Sequence, residues 1–124
     1  MFFPRIAAAA ALSLALAAPA PAQPAAQTIL VASFSFGPKP IQLAAGQPVT
    51  LTFVNRSGSG HDFTAPRFFA TSRILSGSAP DGEIELRPHE TKSIRLVPVR
   101  GTYKARCSHF LHSAMGMTDQ IIVK

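Results

Sequence analysis

Tyr103-Lys104-Ala105-Arg106-Cys107-Ser108-His109-Phe110-Leu111-His112-Ser113-Ala114-Met115-Gly116-Met117 opens as a strand and closes as a loop crowded with sulfur and imidazole. From Gly101, residues Tyr103, Ala105 and Cys107 alternate with Thr102, Lys104 and Arg106, the period of two expected of a strand with one buried face. Cys107 therefore lies on the same inward side as Tyr103. Beyond it the alternation stops, and thiol, imidazole and thioether groups gather within the eleven residues from Cys107 to Met117. An extended pattern resumes from Gln120 to Lys124, so this loop joins the last two strands of the chain.

Working outward, Val49, Leu51 and Phe53 alternate with Thr50 and Thr52, a second strand with one buried face, which runs into the flexible stretch Asn55-Arg56-Ser57-Gly58-Ser59-Gly60. Thr28 to Phe36 favours a strand through its β-branched and aromatic residues; Gly37-Pro38-Lys39-Pro40 interrupts it before the short extended piece Ile41 to Leu43 and a turn at Ala44-Ala45-Gly46-Gln47. Glu83 to Leu86 and Thr91 to Val97 alternate again, separated by an Arg87-Pro88-His89-Glu90 turn in which His89 is solvated. Between Asp62 and Asp81 the pattern is irregular. Phe68 and Phe69 require burial there, and a short helix would place Phe68 and Leu75 on one face. Seven to eight short strands with almost no helix predict an all-β fold, a Greek-key β-sandwich with Phe53, Phe63 and Tyr103 in its core.

Thiolate, thioether and imidazole together suit copper in both of its oxidation states. A trigonal copper site takes two His and one Cys with a long axial Met, so the loop needs a second imidazole from elsewhere in the fold. His61, just past the strand that ends near Val54, is the candidate, because that strand end can share a pole of the sandwich with the Cys107 loop.

These elements resemble the cupredoxin family. The matching residues are Asn55 leading to His61, the strand Tyr103-x-x-x-Cys107, and the spacing Cys107-x4-His112-x4-Met117; the likeness runs from Thr28 to Lys124. It implies one copper ion with His61, Cys107 and His112 as equatorial ligands and Met117 as the axial sulfur, with Met115 as the competing sulfur. His109, two residues from Cys107, is read as supporting the ligands from outside or as exposed, with direct ligation or capping of the site as the alternative. Asp62 and Ser108 occupy the positions at which the family ties the remote His segment to the loop beside the Cys. The sequence departs from the usual loop in having Phe110-Leu111 rather than a Pro next to His112. The resemblance further implies a carrier that exchanges single electrons with larger redox proteins, transiently, through the edge of His112 and an apolar rim of Phe110, Leu111, Ala114 and Met115. A copper-binding or copper-delivery protein with an exchangeable site is the alternative, favoured by the extra His109 and Met115.

The remaining features bound these readings. Met1 to Arg5 and the apolar run Ile6 to Ala18, ended by Pro19 and Pro21, read as a secretory signal peptide over residues 1–22 with cleavage after Ala22. A flexible leader over 23–27 and one domain over 28–124 follow, exported to the periplasm or secreted, with no stable membrane insertion after signal removal. The formal charge of +6 comes from scattered basic residues, which suits an acidic protein partner better than nucleic acid. The single cysteine excludes an internal disulfide. The six acidic residues form no spaced acid/base pair, and neither a Gly-rich phosphate loop nor a Ser/His/Asp order is present, so the expectation is a monomer that is not an enzyme.

Overall fold

The computed structural model describes residues 1–4, 7–16, 26–109, 112 and 115–124. Among the described residues, ten strands form two five-stranded sheets. They are β1 (Ala26–Ala32), β2 (Ser35–Gly37), β3 (Ile41–Leu43), β4 (Val49–Asn55), β5 (His61–Thr64), β6 (Arg73–Ser76), β7 (Glu83–Leu86), β8 (Thr91–Val97), β9 (Gly101–Arg106) and β10 (Thr118–Val123). One sheet runs β2-β1-β4-β8-β6 and the other β3-β10-β9-β5-β7. Most neighbours are antiparallel, but β1 runs parallel to β4 and β3 parallel to β10. The 4-residue strands β5 and β7 and the ends of β9 and β10 form the part of the second sheet that carries the site.

The alternation read from the sequence is the burial pattern of β4 and β9. In β4, Val49, Leu51 and Phe53 are buried against the second sheet, and in β9, Tyr103 and Ala105 are buried while Lys104 and Arg106 face solvent. Phe63 on β5 is the hinge of the apolar packing. Its ring meets Phe53 across the sandwich at 4.9 Å between centroids and Phe36 edge-on at 5.3 Å. A short helix, α1 (Pro66–Thr71), closes one side with Phe68 and Phe69 buried, and Phe68 packs edge-on against Tyr103 at 5.5 Å. The Tyr103 hydroxyl donates to the Val99 carbonyl at 2.8 Å, so the ring is buried and its polar tip is satisfied.

The strand count exceeds the expected seven to eight for two reasons. The segment expected as one strand from Thr28 to Phe36 is a hairpin, in which Ala32 pairs with Ser35 around Ser33-Phe34, and β1 begins earlier than expected, at Ala26. The irregular stretch after Gly60 also holds two strands, β5 and β6. The β5 residues His61, Asp62, Phe63 and Thr64 are all buried, which erases the period of two by which a half-exposed strand is recognised. Phe68 and Leu75 do not share a helix face. The helix stops at Thr71 because Ser72 turns extended and returns both its N–H and its hydroxyl to the Phe68 carbonyl; Leu75 then lies exposed on β6, which pairs with β8.

Phe53 is fully buried between the sheets. Phe53→Ala is expected to lower stability by about 3–5 kcal/mol, through lost apolar burial and the cavity left beside Phe63. Urea unfolding of the metal-free protein measures it, and a loss under about 1 kcal/mol would contradict this account of the core.

Candidate metal centre

Three potential ligand atoms converge at one pole of the sandwich. The Nδ1 atoms of His61 and His112 lie 3.1 Å apart, and the Cys107 Sγ lies 3.4 Å from the His112 Nδ1 and 4.0 Å from the His61 Nδ1. Nitrogen and sulfur ligands stand about 2.0 and 2.3 Å from a bound transition ion, which for angles near 110–120° separates N from N by about 3.3–3.5 Å and S from N by about 3.5–3.8 Å. The observed triangle has those dimensions to within a few tenths of an ångström. Two imidazoles and a thiol facing one another in this way also fit a cation chemically, since a metal would replace the proton that one Nδ1 must otherwise donate to the other.

The strands determine this convergence. His61 is the first residue of β5, and Cys107 directly follows β9, its neighbour in the same sheet, so two residues far apart in sequence emerge side by side. Loop 55–60, expected to be flexible, is instead pinned. The Asn55 amide donates to the carbonyls of Ser59 at 2.8 Å and Arg87 at 2.9 Å, and its Oδ1 accepts from the Ser57 N–H and hydroxyl. Ser59 in turn meets the His61 Nε2 at 3.2 Å, which orients the ring with Nδ1 inward. On the other side, the Asp62 N–H points at Cys107 Sγ at 3.5 Å; the Asp62 Oδ1 accepts from the Ser108 N–H and the Thr64 hydroxyl, each at 2.8 Å, and the Ser108 hydroxyl donates to Oδ2.

Within the loop, the His112 N–H donates to the His109 carbonyl, and the His112 carbonyl accepts from the N–H groups of Met115 and Met117. The Cys107 N–H donates to the Met117 carbonyl at 3.1 Å, which closes the loop at its base. The two thioether residues then separate sharply. Met117 is fully buried beside the site, and Met115 is 60% exposed. His109 does not join the triangle. Its Nε2 pairs with Glu85 on β7 at 2.8 Å and faces the Asp62 carboxylate at 3.8 Å, while its ring stacks on His112 at 5.4 Å. Gly60 makes room for it, since a Cβ there would stand 3.3 Å from the His109 ring. Asp62, Glu85 and His109 form a second cluster of potential ligands, but the oxygens of Asp62 are already committed to Ser108 and Thr64. Phe110, Leu111 and Ala114, expected to rim the site, lie outside the described residues.

Two contacts were not visible in the sequence. Glu85, one of two acids on an ordinary-looking strand, is placed against His109 only by the pairing of β5 with β7. Phe34 stands perpendicular to His112 at 5.2 Å between ring centroids, although it is remote in sequence and had been read as part of a plain strand.

No family model matches the sequence, and no curated protein matches it. Solved structures do match its fold. Sodium-dithionite-reduced auracyanin from the photosynthetic bacterium Roseiflexus castenholzii superposes with a TM-score of 0.62 at 18% identity, over 82% of this chain and 98% of that one. Auracyanin B gives 0.58 at 19% identity, over 80% and 88%. The fold is that of a cupredoxin. A multicopper oxidase from Campylobacter jejuni also contains this cupredoxin fold, with a TM-score of 0.63 at 14% identity over 90% of this chain but only 32% of the oxidase.

Burial holds the His61 imidazole below the ordinary 6.5, reinforced by His112 and His109 and opposed by Asp62 and Glu85. Burial likewise pushes the Cys107 thiol up from 9.0, against two backbone N–H groups that favour the thiolate. The depressed His61 makes a stability contribution that is present above the unfolded-state value of 6.5 and is lost as pH falls from there through the folded-state value. The urea midpoint of the metal-free protein is therefore expected to drop between pH 7.5 and pH 5, and less so in His61→Gln; an equal drop in both would remove His61 as the cause.

Asn55→Ala leaves the Ser59 and Arg87 carbonyls and the Ser57 N–H without their partner. It is expected to cost about 2–3 kcal/mol in the same assay and to release His61 from the site. If stability and metal binding were both unchanged, the pinning of the 55–60 loop would be irrelevant to the centre.

Proposed function

We propose that this chain is an exported mononuclear copper protein that carries single electrons between larger redox proteins. The observation that supports it most strongly is the triangle of His61, Cys107 and His112 with a buried Met117 at its side. His61, Cys107 and His112 would hold the ion, and Met117 rather than the exposed Met115 would supply a further sulfur. Copper in such a donor set supplies reversible one-electron chemistry.

The chain's own residues account for the rest. Strand ends hold His61 and Cys107 at nearly fixed separation, so a bound ion would meet nearly the same donors in either oxidation state. The backbone N–H groups of Asp62 and His109 aimed at Cys107 favour its thiolate against burial and the charge of the Asp62 carboxylate, and full burial keeps water from the sulfur. His112 is the less buried imidazole and offers the path to a partner. The basic surface would speed encounter with an acidic redox partner. The apolar N-terminal run supports export, and no helix among the described residues is long and apolar enough to cross a membrane. The protein would act as a monomer. A copper-delivery role is the second reading, favoured by the exposed thioether of Met115 near the loop.

Loading the protein with copper(II) is expected to produce an intense thiolate-to-copper absorption band that is absent in Cys107→Ser. A colourless protein that binds copper(I) and yields it at once to a chelator would favour delivery instead. Met117→Leu is expected to raise the reduction potential by about 60 mV or more, a tenfold shift in preference towards the reduced ion, and Met115→Leu to leave it nearly unchanged. The reverse pattern in voltammetry would reassign the axial sulfur to Met115.

A further inference from the structure

We propose that Phe34 is a positioning residue for His112, holding the imidazole towards Cys107 and His61 and slowing loss of the bound ion to solvent. This rests on the reading of His112 as a ligand.

Phe34 occupies the second place of the two-residue connection between β1 and β2, with Ala32 and Ser35 paired on either side. Its φ is 58°, a left-handed conformation that a Cβ disfavours and that turns of this kind normally assign to Gly or Asn. The side chain is also 39% exposed at a hairpin tip. A phenylalanine there is unfavourable for the backbone and only partly buried, so neither turn chemistry nor core packing explains it. Strain of this sort is retained where surrounding contacts or function require it.

The contact it makes is specific. The hairpin belongs to the first sheet, and the parallel register of β1 on β4, with Val31 opposite Asn55, brings its tip to the pole of the sandwich where the ligand triangle lies. There the Phe34 ring stands at 82° to the His112 ring, an edge-to-face pair with centroids 5.2 Å apart. His112 needs such support more than the other two ligands. His61 begins a strand and Cys107 directly follows one, whereas His112 sits inside the loop, with its ring directed by the triangle through Nδ1 and by stacking on His109 at 5.4 Å. Phe34 supplies a lateral contact from a different sheet, which restricts the swing of the ring away from Cys107.

The test uses Phe34→Gly, Phe34→Asn and Phe34→Leu in the full chain, with three readouts: thermal unfolding without metal, decay of the thiolate-to-copper band under excess chelator, and the reduction potential. In the Gly and Asn variants the metal-free melting midpoint is expected to equal or exceed that of the unmutated protein, because both residues accept the left-handed backbone. The band is expected to decay about two- to tenfold faster, the range an aromatic pair of this geometry is worth, and the potential to shift as His112 gains hydration. Phe34→Leu, which keeps the apolar cover, is expected to return the decay close to its original rate. Unchanged decay and potential in the Gly and Asn variants would overturn the inference. So would a melting midpoint several degrees lower in both, which would make Phe34 a packing residue. An unmutated protein without the band would overturn the ligand assignment and this inference together, whereas a normal band with unresponsive variants overturns this inference alone.

Discussion

The contact on which the site depends is the one Asp62 makes with Cys107 and Ser108. Its backbone N–H points at the Cys107 sulfur, and its carboxylate takes up both the N–H and the hydroxyl of Ser108. One residue thereby ties the start of β5 to the chain leaving β9. His61, immediately before Asp62, is carried to within 4.0 Å of the sulfur as a consequence. A carboxylate buried to this degree is costly unless its oxygens are bonded, and Ser108 and Thr64 meet that need within the same sheet. The clamp therefore joins two neighbouring strand ends that are already close, and little extra chain ordering is required to form it.

Around that clamp, burial opposes charge on two of the side chains that converge. It disfavours both an imidazolium at His61 and a thiolate at Cys107. A bound cation reverses this balance by stabilising the thiolate directly. The three ligand positions also differ in rigidity. His61 and Cys107 inherit the stiffness of hydrogen-bonded strands, while His112 depends on turn hydrogen bonds and on ring contacts with His109 and Phe34. On the proposed reading, the ligand that faces a partner is also the one least fixed by secondary structure.

The sandwich was legible because alternation in β4, β8 and β9 follows directly from having one face in the core and one in water. The loop's candidate donors were legible because Cys107, His112 and Met117 lie close together in sequence between two recognisable strands. β5 was not, since a strand buried on all sides shows no alternation, and its His and Asp look like loop residues until their partners are known. Nor was the hairpin at Ser33-Phe34, because a phenylalanine with positive φ contradicts the turn chemistry on which such a reading relies. The helix was placed in the right region, but its end was misjudged because Ser72 redirects the chain through a hydrogen bond to its own first turn.

What the sequence determined by itself was therefore the local content: which faces of the strands are buried, and which donor atoms one loop can offer. Spacing alone fixes those, because they depend on neighbours along the chain. The tertiary structure decided which donors meet. Pairing of β5 with β9 brings His61 to Cys107, pairing of β5 with β7 gives His109 its Glu85, and the parallel β1–β4 register delivers Phe34 to His112. It also separated the two methionines, burying Met117 and leaving Met115 exposed, through hydrogen bonds of the loop backbone that side-chain pattern does not encode.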